Sequence, residues 1–368
     1  MTDLAADPAA TAYGMTSDFA LGMIRARCIM RGIDASDYQG LEGTISSWED
    51  WSPAWRALGE RYTEIAVDNE EKGRSASAGE LHLRAAVAFH FGKALALGPD
   101  EAYLDLTERS VTAAQRGYAQ LDPSFERIVV PVEGGALHAN LRRPPHVERP
   151  PLVLLIPGTE STKDEFSFWE PTFLSRGMAT LSVDGPGQGE TGLELSVRPD
   201  YEAAVTPLLD ALEGRDDLDL TRVGATGISL GGYYVMRAAA FEPRLKAVVG
   251  NCGCWNLGEA WETGELGALY RSKFTWVFGA EDEAEAIEIA RTITLEGVAE
   301  QVDVPALVIF GAADTLLKPE LHGRHTAETL PHGELWMFEG GNHGVTNRAV
   351  EHIGPSADWL LQKLNGAA

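Results

Sequence analysis

Val223-Gly-Ala-Thr-Gly227-Ile228-Ser229-Leu230-Gly231-Gly232 is the stretch on which the reading of this chain turns. It holds the only Gly-x-Ser-x-Gly of the sequence, with a short apolar run before the serine and an apolar helical run, Tyr233 to Ala240, after it. A chain that turns sharply from strand into helix needs small residues two places either side of the serine, because a β-carbon there would collide with the turn. The hydroxyl of Ser229 is then presented at a helix N-terminus, where free amides and the helix dipole favour negative charge. With 39 glycines in the chain the pentapeptide alone is a modest signal. Its place between strand and helix is what gives it weight.

Working outward, short apolar runs alternate with amphipathic ones. Ile128–Val132 and Ala136–Leu141 flank Gly134-Gly135 and predict a hairpin. Leu152–Ile156, Met178–Val183, Val223–Thr226, Ala247–Val249, Ala306–Phe310 and Leu335–Phe338 read as strands buried on both faces. Helical candidates lie between most of them, so the fold class is α/β with a mostly parallel sheet. The interval from Asn251 to Pro305 is too long for one crossover and includes a helical stretch, Glu281–Thr292, so a lid insertion is expected at about 252–303. Ahead of Asp122-Pro123 the apolar residues recur at helical spacing. A helix is expected over Pro53–Val67 behind an N-cap at Ser52, another over Ser77–Leu97 and a third over Asp100–Tyr118. This predicts a helical N-terminal cap domain over 1–122, closing the strand ends of a catalytic domain over 123–368.

Bulk properties narrow the function classes. A chain of 368 residues with 44% hydrophobic content supplies a sizeable core. The net charge of −25 argues against a nucleic-acid partner, which would require clustered Lys and Arg, and leaves room for a cationic small molecule. Three cysteines, Cys28, Cys252 and Cys254, are too few and too poorly spaced for a disulfide framework or a four-ligand zinc site, and Cys252 and Cys254 read as small buried residues. The first residues lack the basic start and apolar run of a secretory signal, and no apolar stretch approaches the ~20 residues that span a bilayer. A cytoplasmic protein without membrane, metal or cofactor is the expectation.

Two further segments complete the chemistry. Val304-Pro-Ala-Leu-Val-Ile-Phe-Gly311-Ala-Ala-Asp314 is a buried strand that delivers a carboxylate onto a loop, and Phe338-Glu-Gly-Gly-Asn342-His343-Gly344 follows the last strand with glycines on both sides of a histidine. An aspartate at a strand end is commonly a turn residue, and a lone histidine is commonly a packing one. Here the order Ser229, Asp314, His343, each at a strand end, supports a nucleophile, an orienting acid and a base. The loop after Leu152–Ile156, Pro157-Gly-Thr159-Glu160-Ser-Thr-Lys163, is placed to supply an oxyanion site from the amides of Thr159 or Glu160 together with Leu230. Asp184-Gly-Pro-Gly187-Gln-Gly189-Glu-Thr-Gly192 formally matches a dinucleotide fingerprint, but the next helix is expected only near Pro199, so no helix N-terminus meets a pyrophosphate.

These residues in this order resemble the α/β-hydrolase superfamily across the last two thirds of the chain. The helical N-terminal part with Pro157–Lys163 resembles, more narrowly, the carbon–carbon bond hydrolases of bacterial nicotine breakdown. The resemblance implies a dihydroxypyridyl ketone with a methylaminobutyl tail as substrate, released as 2,6-dihydroxypyridine and 4-methylaminobutanoate, and it implies a homodimer. Cleavage to a carbon leaving group needs an acid that protonates carbon. Glu259 and Glu262, three apart in the lid segment, are the candidates for that role or for the substrate ammonium, with Glu262 preferred. Trp255, Trp261, Tyr233 and Phe168 are expected to clasp a flat ring. An esterase or other acyl hydrolase would share every triad residue, and a silent binding protein on the same scaffold would typically lack one.

Overall fold

The computed structural model describes residues 8–366. They fall into two compact units, one made of the chain up to Phe125 with Asp164–Phe168 and Gly267–Lys273, the other of Glu126–Lys163, Trp169–Leu266 and the chain from Phe274 onward. Among the described residues no helix is long and apolar enough to cross a membrane.

The first unit is helical, with α1 (Pro8–Tyr13), α2 (Ser17–Met30), α3 (Ala35–Thr44), α4 (Trp48–Glu71), α5 (Ser75–Ala94) and α6 (Glu101–Leu121). Helix α4 starts earlier than the Ser52-Pro53 signal suggested. Ser47 and Asp50 form a reciprocal capping box that satisfies the first amides, so Pro53 sits one turn inside. Ser52, freed from capping, donates its hydroxyl to the Gly92 carbonyl at 2.7 Å. Trp48, Trp51, Trp55, Tyr38 and Phe91 anchor the core. Inside the same unit Glu165 is fully buried, with its carboxylate accepting from Arg27 at 2.8 and 2.7 Å and from Arg31 at 3.0 Å.

The second unit carries an eight-stranded sheet of order β1-β2-β4-β3-β5-β6-β7-β8. Its strands are β1 (Glu126–Val132), β2 (Gly135–Arg142), β3 (Pro151–Ile156), β4 (Ala179–Asp184), β5 (Asp219–Ile228), β6 (Leu245–Asn251), β7 (Ala306–Gly311) and β8 (Gly333–Phe338). β1 and β2 form the expected antiparallel hairpin, β2 joins β4 antiparallel, and every pairing from β4 to β8 is parallel. β3, β4 and β7 are buried at every residue, which is why they read as unbroken apolar runs. The helices of this unit are α7 (Glu170–Leu174), α8 (Glu202–Asp210), α9 (Leu230–Phe241), α10 (Leu257–Glu262), the end of α11 (Ala268–Val277), α12 (Glu283–Thr292), α13 (Thr326–Thr329) and α14 (Ala349–Gly366). α9 packs on β3, β5 and β6, and α14 on β5 and β6. Between β6 and β7 the chain builds α10, α11 and α12 instead of a single crossover helix. Because β5, β7 and β8 run parallel, the residues that follow them emerge at one edge of the sheet.

Candidate active site

Ser229 occupies the turn between β5 and α9 with φ 56° and ψ −123°, a left-handed conformation that costs a non-glycine residue on the order of 1–3 kcal/mol. The flanking glycines make the turn possible. A β-carbon on Gly227 would lie 2.1 Å from the Gly231 carbonyl oxygen, and one on Gly231 would lie 2.3 Å from that of Ile156. The strained turn lifts the hydroxyl off the sheet. There the Nε2 of His343 stands 2.9 Å from Ser229 Oγ, and the Nδ1 of the same ring stands 2.7 Å from Asp314 Oδ2. The structure therefore brings the three residues read from the sequence into one hydrogen-bonded line. With Asp314 accepting at Nδ1, the neutral ring carries its proton there and leaves Nε2 free to accept from the serine.

The acid is held by its own loop. Asp314 Oδ1 accepts from the amides of Leu316 at 2.8 Å and Leu317 at 3.1 Å, leaving Oδ2 to the imidazole. Burial, the largest influence, pushes the carboxyl pKa up, but the charge and hydrogen bond of His343 and the two amides together hold it below its ordinary value. Gly311 lets the loop carrying the histidine close over the acid loop, since a β-carbon there would sit 2.3 Å from the Gly341 carbonyl oxygen. Ala312 and Ala313 donate to the carbonyls of Phe338 and Gly341, both at 2.9 Å, and tie the two loops together. The His343 side chain keeps 23% of its surface exposed while that of Asp314 is fully buried, which suits a base that meets a substrate and an orienter that does not.

The β3 loop also reaches the nucleophile. A β-carbon on Gly158 would lie 3.0 Å from Ser229 Cβ, so Thr159 and Glu160 follow directly on a residue in contact with the serine. Leu230 opens α9, and the first amides of a helix have no acceptor within it. The loop is braced from beneath by the turn after β4. Gln188 donates to the Pro157 carbonyl and accepts from the Gly185 amide and the Tyr201 hydroxyl. Asp184 Oδ1 accepts from the Lys163 amide at 2.7 Å, and the Lys163 ammonium lies 3.1 Å from Asp184 and 2.6 Å from Glu190. Burial raises the Glu190 pKa, but Lys163 and Arg127 outweigh it and bring it down to about 2. The glycine-rich segment 185–192 is thus a brace, and the next α-helix begins only at Glu202.

Comparison with known proteins bears on the family. A family model described as esterase FrsA-like matches residues 21–255, and one described as prolyl oligopeptidase family matches residues 164–367. This chain is an α/β-hydrolase of the FrsA-like and prolyl oligopeptidase families. The hydrolase is 29% identical over 343 residues to 2,6-dihydropseudooxynicotine hydrolase of Paenarthrobacter nicotinovorans, covering 92% of this chain and 91% of that one. It is 30% identical over 348 residues to 20-hydroxy-prefusarin hydrolase FUS2 of Gibberella moniliformis, covering 80% and 82%. The crystal structure of 2,6-dihydroxy-pseudo-oxynicotine hydrolase superposes with a TM-score of 0.84 over 92% of this chain and 95% of that one, at 29% identity. The structure titled AbyA5 wildtype, at 20% identity and a TM-score of 0.72 over 90% of each chain, shares the fold.

The two expected lid carboxylates are turned to solvent. Glu259 and Glu262 both face solvent on α10, and Glu262 is paired with Arg291 at 2.6 Å. This corrects the expectation that Glu262 serves the leaving group, because a half-exposed carboxylate already held by a guanidinium is a poor proton donor to carbon. Helix α10 buries Leu257, Gly258, Ala260 and Trp261, which leaves Glu259 and Glu262, three apart, on its outer face. The four aromatic residues each have packing or hydrogen-bond partners of their own. Phe168 belongs to the helical unit, where its ring fills the space a side chain at Gly32 would need and lies 6.0 Å from the Arg84 guanidinium. Trp261 packs with Phe274 and Phe278, and Tyr233 is buried with its hydroxyl donating to the Pro199 carbonyl at 2.9 Å. Trp255 sets its ring edge-on to His325 at 4.4 Å.

Sequence reasoning missed Glu265 and His322. The Trp255 amide donates to His322 Nδ1 at 2.9 Å, and His322 Nε2 lies 3.2 Å from Glu265, so the segment between β6 and β7 and the loop after Asp314 are tied together. Glu265 also accepts from the Lys318 amide at 2.9 Å. Burial, only partly offset by Glu265, lowers the His322 pKa. Glu265 lies one turn beyond Glu262 and had no distinguishing motif.

Proposed function

We propose that this hydrolase cleaves a carbon–carbon bond between an electron-rich aromatic ring and a ketone carbonyl, with Ser229 as nucleophile, His343 as base and acid, and Asp314 as orienter. The observation that carries the reading is the Ser229–His343–Asp314 line at 2.9 and 2.7 Å. The ketone substrate is supported by the likeness, over nine tenths of the chain, to 2,6-dihydropseudooxynicotine hydrolase.

Ser229 Oγ attacks the carbonyl carbon as its proton passes to His343 Nε2, and the carbonyl electrons move onto oxygen. The Leu230 amide, with that of Thr159 or Glu160, donates to the oxyanion, each donor being worth about 3 kcal/mol in such sites. The electrons then return, the bond from carbonyl carbon to ring carbon breaks, and the ring carbon takes the proton carried by His343. No carboxylate beyond Asp314 is required, which fits the exposed position of Glu262. Water, deprotonated by His343, cleaves the acyl-enzyme to a carboxylic acid. Asp314, with its carboxyl held below the ordinary range, stays ionised throughout and stabilises the imidazolium.

A second reading, hydrolysis of an ester at the same serine, is favoured by the esterase description of the family matched over residues 21–255. Incubation of the purified enzyme with 2,6-dihydroxypseudooxynicotine, following release of 2,6-dihydroxypyridine, separates the two. Stoichiometric release of the pyridine supports ketone cleavage, whereas no release alongside rapid hydrolysis of aryl esters assigns the enzyme to the second reading.

A further inference from the structure

The C-terminal end of β6 touches all three carriers of the proposed relay. The Asn251 carbonyl accepts from the Ser229 amide at 2.8 Å, fixing the nucleophile turn. Its side-chain Nδ2 donates to the Gly344 carbonyl at 3.0 Å, fixing the loop of the histidine. The next residue, Cys252, donates its amide to the Ile309 carbonyl of β7 at 2.8 Å. Cys252 does so at φ 49°, one of four described non-glycine residues in the left-handed region, and Ser229 is another. Strain of this kind persists where surrounding contacts over-determine a residue, and it clusters at working sites.

The effect of that backbone is to turn the Cys252 side chain into the acid–imidazole pair. Its sulfur, a carboxylate oxygen of Asp314 and a ring nitrogen of His343 all lie within 4.8 Å of one another. The Cys252 side chain is fully buried and takes part in no disulfide. Burial, then the Asp314 charge, push its thiol well above the ordinary range, so the group stays an S–H, able to donate, at any working pH. Asp314 has Oδ1 on two amides and Oδ2 on the histidine, and a carboxylate has about four lone-pair positions. One acceptor position therefore remains for a weak donor.

We propose that Cys252 is a positioning residue for the catalytic acid: its thiol donates to Asp314 and, with Asn251, makes the end of β6 the piece that registers nucleophile, acid and base to one another. This rests on the triad reading above. Withdrawing the donor leaves Asp314 freer to rotate, so the imidazole is held less well and kcat falls while KM holds; it also makes Asp314 a stronger acceptor, which raises the pKa of the imidazole.

The test compares Cys252→Ala with Cys252→Ser, using the rate of Ser229 phosphonylation and the kcat and KM for whichever substrate the enzyme turns over. Cys252→Ala is expected to lower kcat and the phosphonylation rate about tenfold, equivalent to about 1.4 kcal/mol, with KM within twofold. The acidic limb of kcat/KM is expected to move up by a few tenths of a pH unit, and Cys252→Ser to restore most of both. Equal impairment of the two variants, or an unchanged rate and pH profile in Cys252→Ala, overturns the proposal. A Raman spectrum of the unmodified enzyme supplies an arm independent of variant folding. A red-shifted S–H band that disappears in Cys252→Ser supports donation, and its absence overturns it. Loss of phosphonylation in the unmodified enzyme would instead sink the triad reading itself.

Discussion

Asp314 in the sheet unit and Glu165 in the helical unit are both buried carboxylates facing a histidine, yet their surroundings make them different devices. Glu165 is enclosed by Arg27 and Arg31, with His90 Nε2 3.1 Å away, and its neighbours are buried or nearly so. Burial pushes its carboxyl up, but the two guanidinium charges win and hold it well below the ordinary range. The His90 ring, with burial outweighing Glu165, is driven down to about 4 and stays neutral near neutrality. Asp314 has amides on one oxygen and a partly exposed imidazole on the other, whose far nitrogen meets a strained serine. What separates a packing cluster from the proposed catalytic one is thus not the pairing of carboxylate and histidine. It is the exposure of the ring and what stands on its other side.

The sharpest way to break this contrast is to remove the serine. Ser229→Ala is expected to lower kcat/KM by on the order of 10⁴-fold or more with no loss of thermal stability, since the strained turn remains and only the hydroxyl goes. Substrate turnover and a melting curve on the same sample check it. Next, Asp314→Asn should lower kcat by on the order of 10⁴-fold by favouring the wrong tautomer. Glu165→Gln should do the reverse: it removes the charge that faces the buried Arg31 and the largely buried Arg27 and costs about 3–5 kcal/mol of stability, while the folded fraction keeps its turnover within a fewfold. Chemical denaturation beside active-site titration distinguishes the two outcomes, and a Glu165→Gln enzyme that is stable but inactive would erase the distinction.

Acid titration gives a smaller effect. A histidine whose folded pKa lies at about 4 takes up its proton more readily unfolded, so the stability tied to His90 falls as pH drops from about 6.5 toward about 4. Glu190, brought to about 2 because Lys163 and Arg127 overcome its burial, contributes stability that is complete above its unfolded value near 4.5 and lost as pH falls toward about 2. Denaturant midpoints measured from pH 7 to 4 should decline, and His90→Gln should flatten that decline. The smallest effect belongs to Glu262→Gln, for which turnover should change less than twofold, because the half-exposed pair with Arg291 does no chemistry. A loss of tenfold or more there would return the side chain to the mechanism.

The fold was largely legible because buried strands and tight turns leave local marks. Leu152–Ile156 and Ala306–Phe310 are apolar at every position because both faces are covered, and Gly227 and Gly231 are required by contacts within their own turn. Ser229, Asp314 and His343 could be found by their order along parallel strands. The rest depends on three-dimensional phase. Whether Glu262 or Glu265 turns inward is set by the buried face of α10 and by Lys318 and His322, which lie more than fifty residues away. Trp255, Trp261, Tyr233 and Phe168 each have a partner that the sequence does not announce. The start of α4 was misplaced because the Ser47–Asp50 box outranks the Ser52-Pro53 signal. Cys252 read as a small core residue, since nothing local announces a side chain aimed at an acid contributed by a neighbouring strand.

Mass spectrometry of the folded enzyme after exposure to a serine-reactive phosphonate tests the central claim most directly. The account predicts one adduct per chain, on the peptide bearing Ser229, with labelling lost in His343→Ala. Failure of the folded protein to take the label at Ser229 while it still turns over substrate would contradict it.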